Sequence, residues 1–189
     1  YHTGGALAFN KFDDKLYVTV GDATQNVQCG NLTNSTGEIC PSQDRTSLLG
    51  KVLRINRDGS IPDDNPFPNS PVYTYGHRNM FGIAFDDHGH GIVTESGEHF
   101  YDEINSQIKG ANYGWSTLQQ ADTAPNPLST DPSIKPMRSY YISLPPTQTT
   151  YYNGDKFPEL KGEFIVGSFR GNLYAYKISE DGKKLLEEI

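Results

Sequence analysis

The feature that most constrains this chain is a phrase of the form strand, turn, strand that occurs three times. Gly5-Ala6-Leu7-Ala8-Phe9, a turn at Asp13-Asp14 and Leu16-Tyr17-Val18-Thr19-Val20-Gly21-Asp22 form the first copy. The second is Gly82-Ile83-Ala84-Phe85-Asp86, a turn through Asp87-His88-Gly89, and Gly91-Ile92-Val93-Thr94-Glu95-Ser96-Gly97. The third runs Thr149-Thr150-Tyr151-Tyr152-Asn153-Gly154 and then Gly162-Glu163-Phe164-Ile165-Val166-Gly167-Ser168. Further strands are expected at Lys51–Ile55 and Leu173–Ile178, the latter returning through Glu180-Asp181-Gly182 into 185–189 as a hairpin. No segment carries a 3.6-residue apolar period over helix length, so the chain is expected to be all-β. A β-sandwich also uses short strands, but it does not repeat one phrase. Copies of a small antiparallel sheet spaced roughly 65–80 residues apart predict β-propeller blades joined by long loops. About three blades fit here, where a closed propeller needs roughly four to eight.

Composition supports that reading. The 189 residues include 19 Gly and 12 Pro beside 12 Tyr and 9 Phe, a mixture that favours turns and strands. A net charge of −7 with no basic run argues against nucleic-acid binding, which needs clustered Lys and Arg. No stretch approaches the roughly 18–20 consecutive apolar residues of a membrane-spanning helix. The chain begins without Met and stops within a strand, so it is expected to be part of a longer protein. Cys29 and Cys40 sit in a loop rich in Gly, Asn, Ser and Thr, with no further Cys or His at metal-ligand spacing. The composition favours a disulfide across this loop over two free thiols. That pairing, with the sequons at Asn31 and Asn34, points to an extracytoplasmic (periplasmic, cell-surface or secreted) location.

Polar clusters next to strand ends are the places where a propeller binds ligands. Four stand out: His2-Thr3-Gly4-Gly5; Gly76-His77-Arg78-Asn79; Gly97-Glu98 with Asp102-Glu103 and Asn112-Tyr113-Gly114-Trp115; and Gly167-Ser168-Phe169-Arg170-Gly171. Alongside them stand Gly21-Asp22, Gly50-Lys51-Val52-Leu53-Arg54-Ile55-Asn56 with Asp58-Gly59-Ser60-Ile61-Pro62, and Tyr73-Thr74-Tyr75 leading into Gly76. In this order and spacing, from residue 2 to about 176, the phrases resemble the soluble pyrroloquinoline quinone (PQQ)-dependent glucose, sorbosone and aldose sugar dehydrogenases. The resemblance implies a six-bladed propeller, of which residues 1–189 would be part of one domain.

The same resemblance implies the chemistry. PQQ and Ca²⁺ would be the cofactors and a small-molecule sugar the substrate, oxidised from the aldose to the lactone; the electron acceptor is left open. His2 matches the family's base, and a His with an ordinary value of about 6.5 suits removal of a hydroxyl proton. Without the motif, His2 reads as a surface histidine at a chain terminus. Arg78, also a catalytic candidate, and Asn79 match residues facing the cofactor, and Arg170 matches a basic residue contacting its carboxylates. A guanidinium can polarise a quinone oxygen or grip a carboxylate. Gln25 or Gln28 would stand for a cofactor-contacting Gln. For Ca²⁺ the resemblance implies the backbone carbonyls of Gly97 and Glu98, although the family usually places Pro at the latter position. Glu103 and Tyr113 would serve a second Ca²⁺ found in some members. Tyr1 replaces an Asp that some members carry before the base, and Tyr141–Pro146 lacks the Trp of the glucose enzymes. Trp115 reads as a blade-packing residue, and His88, His90 and His99 as solvated turn residues. The rival reading is a non-enzymatic binding domain of the same lineage; convergence of His2, Arg78, Asn79 and Arg170 on one channel mouth separates the two.

Overall fold

The computed structural model describes residues 2–23, 40–97, 101–115, 134–142 and 144–189. Their twelve strands form three four-stranded antiparallel sheets. The first holds β1 (Gly4–Asn10), β2 (Lys15–Val20), β3 (Lys51–Ile55) and β4 (Val72–Tyr75), paired in chain order. The second holds β5 (Met80–Phe85), β6 (Gly91–Glu95), β7 (Asp102–Ser106) and β8 (Arg138–Tyr140). The third holds β9 (Pro146–Tyr152), β10 (Glu163–Ser168), β11 (Leu173–Ile178) and β12 (Leu185–Glu188). The innermost strands β1, β5 and β9 lie side by side. Sheets that each pass from inside to outside and then restart inside are propeller blades, so the fold is a partial β-propeller of three blades. A single turn of 3₁₀ helix at Pro158–Leu160 is the one helical element among the described residues, none of which forms a helix long and apolar enough to cross a membrane.

Burial follows from position in this stack. Strand β2 has a neighbour on one face only, so Tyr17 and Thr19 are buried while Val18 and Val20 are half-exposed, the alternation of a one-sided strand. Strand β6 lies in the middle blade, is covered on both faces, and is buried at all five positions. One core between the first two blades joins Tyr17 and Val52 to Met80, Ile83 and Val93. A second core, between the middle and third blades, joins Ile92 and Ile104 to Phe164, Val166 and Tyr176. Each such side chain contributes about 1.5–3 kcal/mol by leaving water. A further tie between blades is polar: the Tyr140 hydroxyl donates to Glu188 Oε1 at 2.9 Å and meets the Tyr176 hydroxyl at 2.5 Å.

Three strands were not among the expected ones. Strand β7 reads Asp-Glu-Ile-Asn-Ser, a polar cluster in the sequence, yet it pairs in register with β6, placing Glu103 opposite Glu95. Asp102 Oδ1 accepts the Gly97 N–H and Asn105 Nδ2 donates to Glu95 and Glu103, so polarity there does not signal a loop. Strands β4 and β8 have four and three residues, too short to show a period. Of the expected disulfide, Cys40 is buried and Cys29 lies outside the described residues.

Candidate active site

Strand direction decides where the candidate residues fall. Register pairs Gly4 with Val20, Val20 with Lys51 and Lys51 with Tyr75, so the start of β1, the end of β2 and the end of β4 share one rim. In the middle blade Met80 pairs with Glu95, placing the start of β5 and the end of β6 together. Residues 76–79 cross from the first blade to the second along this rim. The Phe81 ring meets Phe169 edge-on at 5.6 Å, which brings the β10–β11 turn, and with it Arg170, to the same end. His2, Arg78, Asn79, Gly97 and Arg170 therefore all lie on one rim of the three blades.

Glycine geometry makes this rim compact. A Cβ on Gly21 would sit 1.9 Å from the His2 carbonyl oxygen, so only glycine lets the β1 entry lie against the end of β2. His2 itself has φ of 51°, a left-handed conformation uncommon for residues other than glycine. It is held by its ring: Nδ1 lies 2.8 Å from Asp22 Oδ1, with 16% of the histidine side chain and 3% of the aspartate side chain exposed. The other Asp22 oxygen, Oδ2, accepts the Trp115 indole N–H at 2.6 Å. The Asp22 backbone N–H donates to the Arg78 carbonyl at 2.8 Å.

Arg78 stands across from this pair. Its Nη1 donates to the carbonyls of Ser96 at 3.0 Å and Gly97 at 2.8 Å, and its guanidinium lies over the Trp115 ring, 5.3 Å from the centroid. Its backbone N–H donates to Glu95 Oε1. Glu95 Oε2 pairs with His77 Nδ1 at 2.8 Å and accepts from Asn105 Nδ2 at 3.2 Å. His77 is completely buried, bonds Thr74 Oγ1 through Nε2 at 2.9 Å and stacks on Tyr113 at 4.5 Å. Asn79 is half-buried; its carbonyl accepts the Ser96 N–H at 2.9 Å, and its carboxamide has no hydrogen bond among the described residues. Arg170 is exposed, with no ion pair to a described residue.

A buried cation anchors the ground beneath. Lys51, fully buried, donates from Nζ to the carbonyls of Leu49 at 2.6 Å, Pro41 at 2.7 Å and Ser42 at 3.0 Å. Burial pushes its ammonium down to about 7, with Asp44 pulling it back up. Three carbonyls around one nitrogen suit the three N–H bonds of the charged form and leave one acceptor bare around a neutral amine, so the geometry opposes that displacement. Ser42 Oγ and Gln43 Nε2 in turn donate to the Trp115 carbonyl at 2.9 and 2.5 Å, and Gln43 and Asn112 exchange side-chain hydrogen bonds at 3.1 and 2.9 Å.

The metal candidates are less gathered. Gly97 O is the oxygen that Arg78 already holds, and Glu98 lies outside the described residues, as do Gln25, Gln28 and His99. The Glu103 carboxylate accepts from Asn105 Nδ2 at 3.0 Å. The Tyr113 hydroxyl donates to the Ser106 carbonyl and accepts the Ile108 N–H at 3.2 Å, and burial raises its pKa. Among the described residues no three His, Cys, Asp or Glu side chains are grouped to hold a metal. His88 is exposed as expected, whereas His90 is half-buried and bonded to Asp86 at 3.1 Å.

Three members of the site are not evident from residue type. Trp115, expected to pack between blades, also joins Asp22 to Arg78. Asp22 and Glu95 are the other two; the Gly21-Asp22 phrase is a sequence signal for the first. A groove of about 550 Å³ runs along the exposed inner strands, lined by Leu7, Phe9, Ile83, Phe85, Gln148 and Tyr151 among others; it reaches the opposite rim through Lys11, Asp87 and Asn153 and does not include His2 or Arg78.

The family model described as Glucose / Sorbosone dehydrogenase matches residues 1–188. Quinoprotein glucose dehydrogenase B of Acinetobacter calcoaceticus is 42% identical over 126 residues, which cover 62% of this chain and 26% of that protein. An aldose sugar dehydrogenase of Escherichia coli is 27% identical over 208 residues, covering 98% of this chain and 52% of that protein. Among solved structures, the PQQ-bound form of an aldose sugar dehydrogenase from Streptomyces coelicolor matches with a TM-score of 0.74 at 30% identity, covering 100% of this chain and 48% of its own. The chain spans about half the length, or less, of these relatives. With its three blades, its rim of motif residues and a family match along nearly its whole length, this chain belongs to the glucose/sorbosone dehydrogenase family.

Proposed function

We propose that this rim binds PQQ and that the protein oxidises aldose-type sugars to lactones, with His2 as base. The observation that carries the reading is the pairing of His2 with Asp22 beside Arg78 on one rim. Because Nδ1 is engaged by Asp22, Nε2 is the ring nitrogen left to take the proton of the sugar's anomeric hydroxyl. The buried Asp22 carboxylate stabilises the imidazolium so formed and keeps the ring from turning.

The donor set fits an anionic quinone. Arg78, Asn79 and Arg170 offer two guanidinium groups and a carboxamide on one rim of an acidic chain, and PQQ carries three carboxylates and quinone oxygens that need such partners. When bound, PQQ supplies the two-electron acceptor for the hydride lost by the anomeric carbon. Arg78 would hold it from one side, with its own orientation fixed by the Ser96 and Gly97 carbonyls and by Glu95. Support for Ca²⁺ comes from the Gly97 carbonyl on this rim, a backbone oxygen of the kind that suits a hard cation; Arg78 Nη1 holds it at 2.8 Å, and an ion would take the place of the long 3.4 Å contact from Ser96 Oγ. The rim placement of all four candidate residues favours this reading over a binding module. An extracytoplasmic site of action remains our proposal, supported by the composition of the Cys29–Cys40 loop.

The experiment is His2→Ala in the intact protein supplied with PQQ and Ca²⁺. Sugar oxidation should fall by roughly 10²–10⁴-fold while PQQ binding stays intact. Turnover that survives the substitution, or a loss of PQQ binding without other change, would reassign His2.

A further inference from the structure

Trp115 touches both halves of the site at once. Its indole N–H holds Asp22 Oδ2 at 2.6 Å, while Asp22 Oδ1 holds His2, so the carboxylate is fixed at both oxygens and cannot turn away from the histidine. Its ring face carries the Arg78 guanidinium at 5.3 Å. The indole is itself immobilised at the backbone: the Trp115 N–H donates to the Gly76 carbonyl at 2.9 Å, and its carbonyl accepts from Ser42 and Gln43. Lys51 fastens the Pro41–Ser42 segment from below through two of its three carbonyls. A residue serving only to fill space between blades would need neither the N–H contact nor the guanidinium on its face.

We propose that Trp115 is a positioning residue that couples the two sides of the site, orienting His2 through Asp22 with its N–H edge and Arg78 with its ring face. The inference rests on the function proposed above. The two contacts use different parts of one rigid side chain, so substitution can separate them. Phenylalanine keeps a ring face and removes the donor; leucine removes both.

The test measures PQQ affinity by titration, and kcat and KM for an aldose, in the intact wild-type protein and in Trp115→Phe and Trp115→Leu. Trp115→Phe is expected to lower kcat roughly 10-fold or more, part of the contribution of a positioned base, with PQQ affinity unchanged. Trp115→Leu should add a weakening of PQQ binding by roughly 3- to 30-fold, the range of a cation–π contact. In an Asp22→Ala background, Trp115→Phe should cost nothing further in kcat, because its path to His2 is already gone. Equal kcat in wild type and Trp115→Phe overturns the proposal. So does a Trp115→Phe protein that loses its fold, or loses kcat and PQQ affinity together, since either marks a purely structural role. A wild type that binds no PQQ removes the proposed function itself and this inference with it, a result distinct from a wild type that turns over and variants that match it.

Discussion

Two glutamates in this fold are buried to the same degree, each 5% exposed, and could hardly be treated more differently. Glu95 ends β6 at the site rim, and both its oxygens are engaged, Oε1 by the Arg78 N–H and Oε2 by His77 and Asn105. Glu163 begins β10 at the opposite rim, and its Oε2 has no hydrogen bond among the described residues. Burial pushes the Glu163 carboxyl above its usual value, with Lys177 pulling it down and Glu187 reinforcing the rise. The contrast teaches that burial alone does not mark a working carboxylate. Glu95 is part of a scaffold because its partners include the backbone of a site residue; Glu163 is a cost carried by the fold.

The largest test of this contrast is Glu95→Ala. It leaves His77 Nδ1 and the Arg78 N–H without their acceptor and Asn105 Nδ2 with Glu103 alone, and should cost about 3–5 kcal/mol in urea unfolding. A loss below about 1 kcal/mol would show that the rim network is not the scaffold described. Next is Lys51→Met, which removes the ammonium from three carbonyls of the segment that holds Trp115. Urea unfolding should show a loss of about 2–4 kcal/mol. Glu163→Gln should act the other way. The folded carboxyl has the higher pKa, so wild-type stability is greatest below the ordinary glutamate value and declines as pH rises through the folded value. The glutamine variant escapes that decline. It should be more stable at pH 7 by about 0.5–1 kcal/mol, read as a higher melting temperature, and the advantage should vanish in acid; a gain that persists at pH 3 would mean that charge is not its source. Smallest of all is Asp14→Asn, which breaks the exposed pair with Arg57 at 2.7 Å. Asparagine accepts the φ of 60° at this turn as readily as aspartate, so the melting temperature should not change.

The sequence carried the blades better than it carried the site's internal order. Strands β2, β5, β6 and β10 were legible because their apolar runs end at turn residues, and the middle blade's unbroken Gly-Ile-Val-Thr-Glu run reflects burial on both faces. Strand β7 was not, because its Asp102 and Asn105 side chains bond to Gly97 and Glu95, partners outside the strand that no local pattern reveals. His2 and Arg78 were visible through motif resemblance, and they do share a rim. The contacts of Trp115 with Asp22 and Arg78 were not legible because both partners lie far away in sequence, Asp22 being 93 residues earlier. A tryptophan beside a glycine looks like packing until the chain closes on itself.

The proposed PQQ site on this rim, serving sugar oxidation, stands or falls on a PQQ titration of the intact protein, with and without Ca²⁺. Saturable binding at micromolar PQQ in the presence of Ca²⁺, accompanied by dye-linked oxidation of an aldose, is the predicted result. No binding at those concentrations with Ca²⁺ present would contradict it.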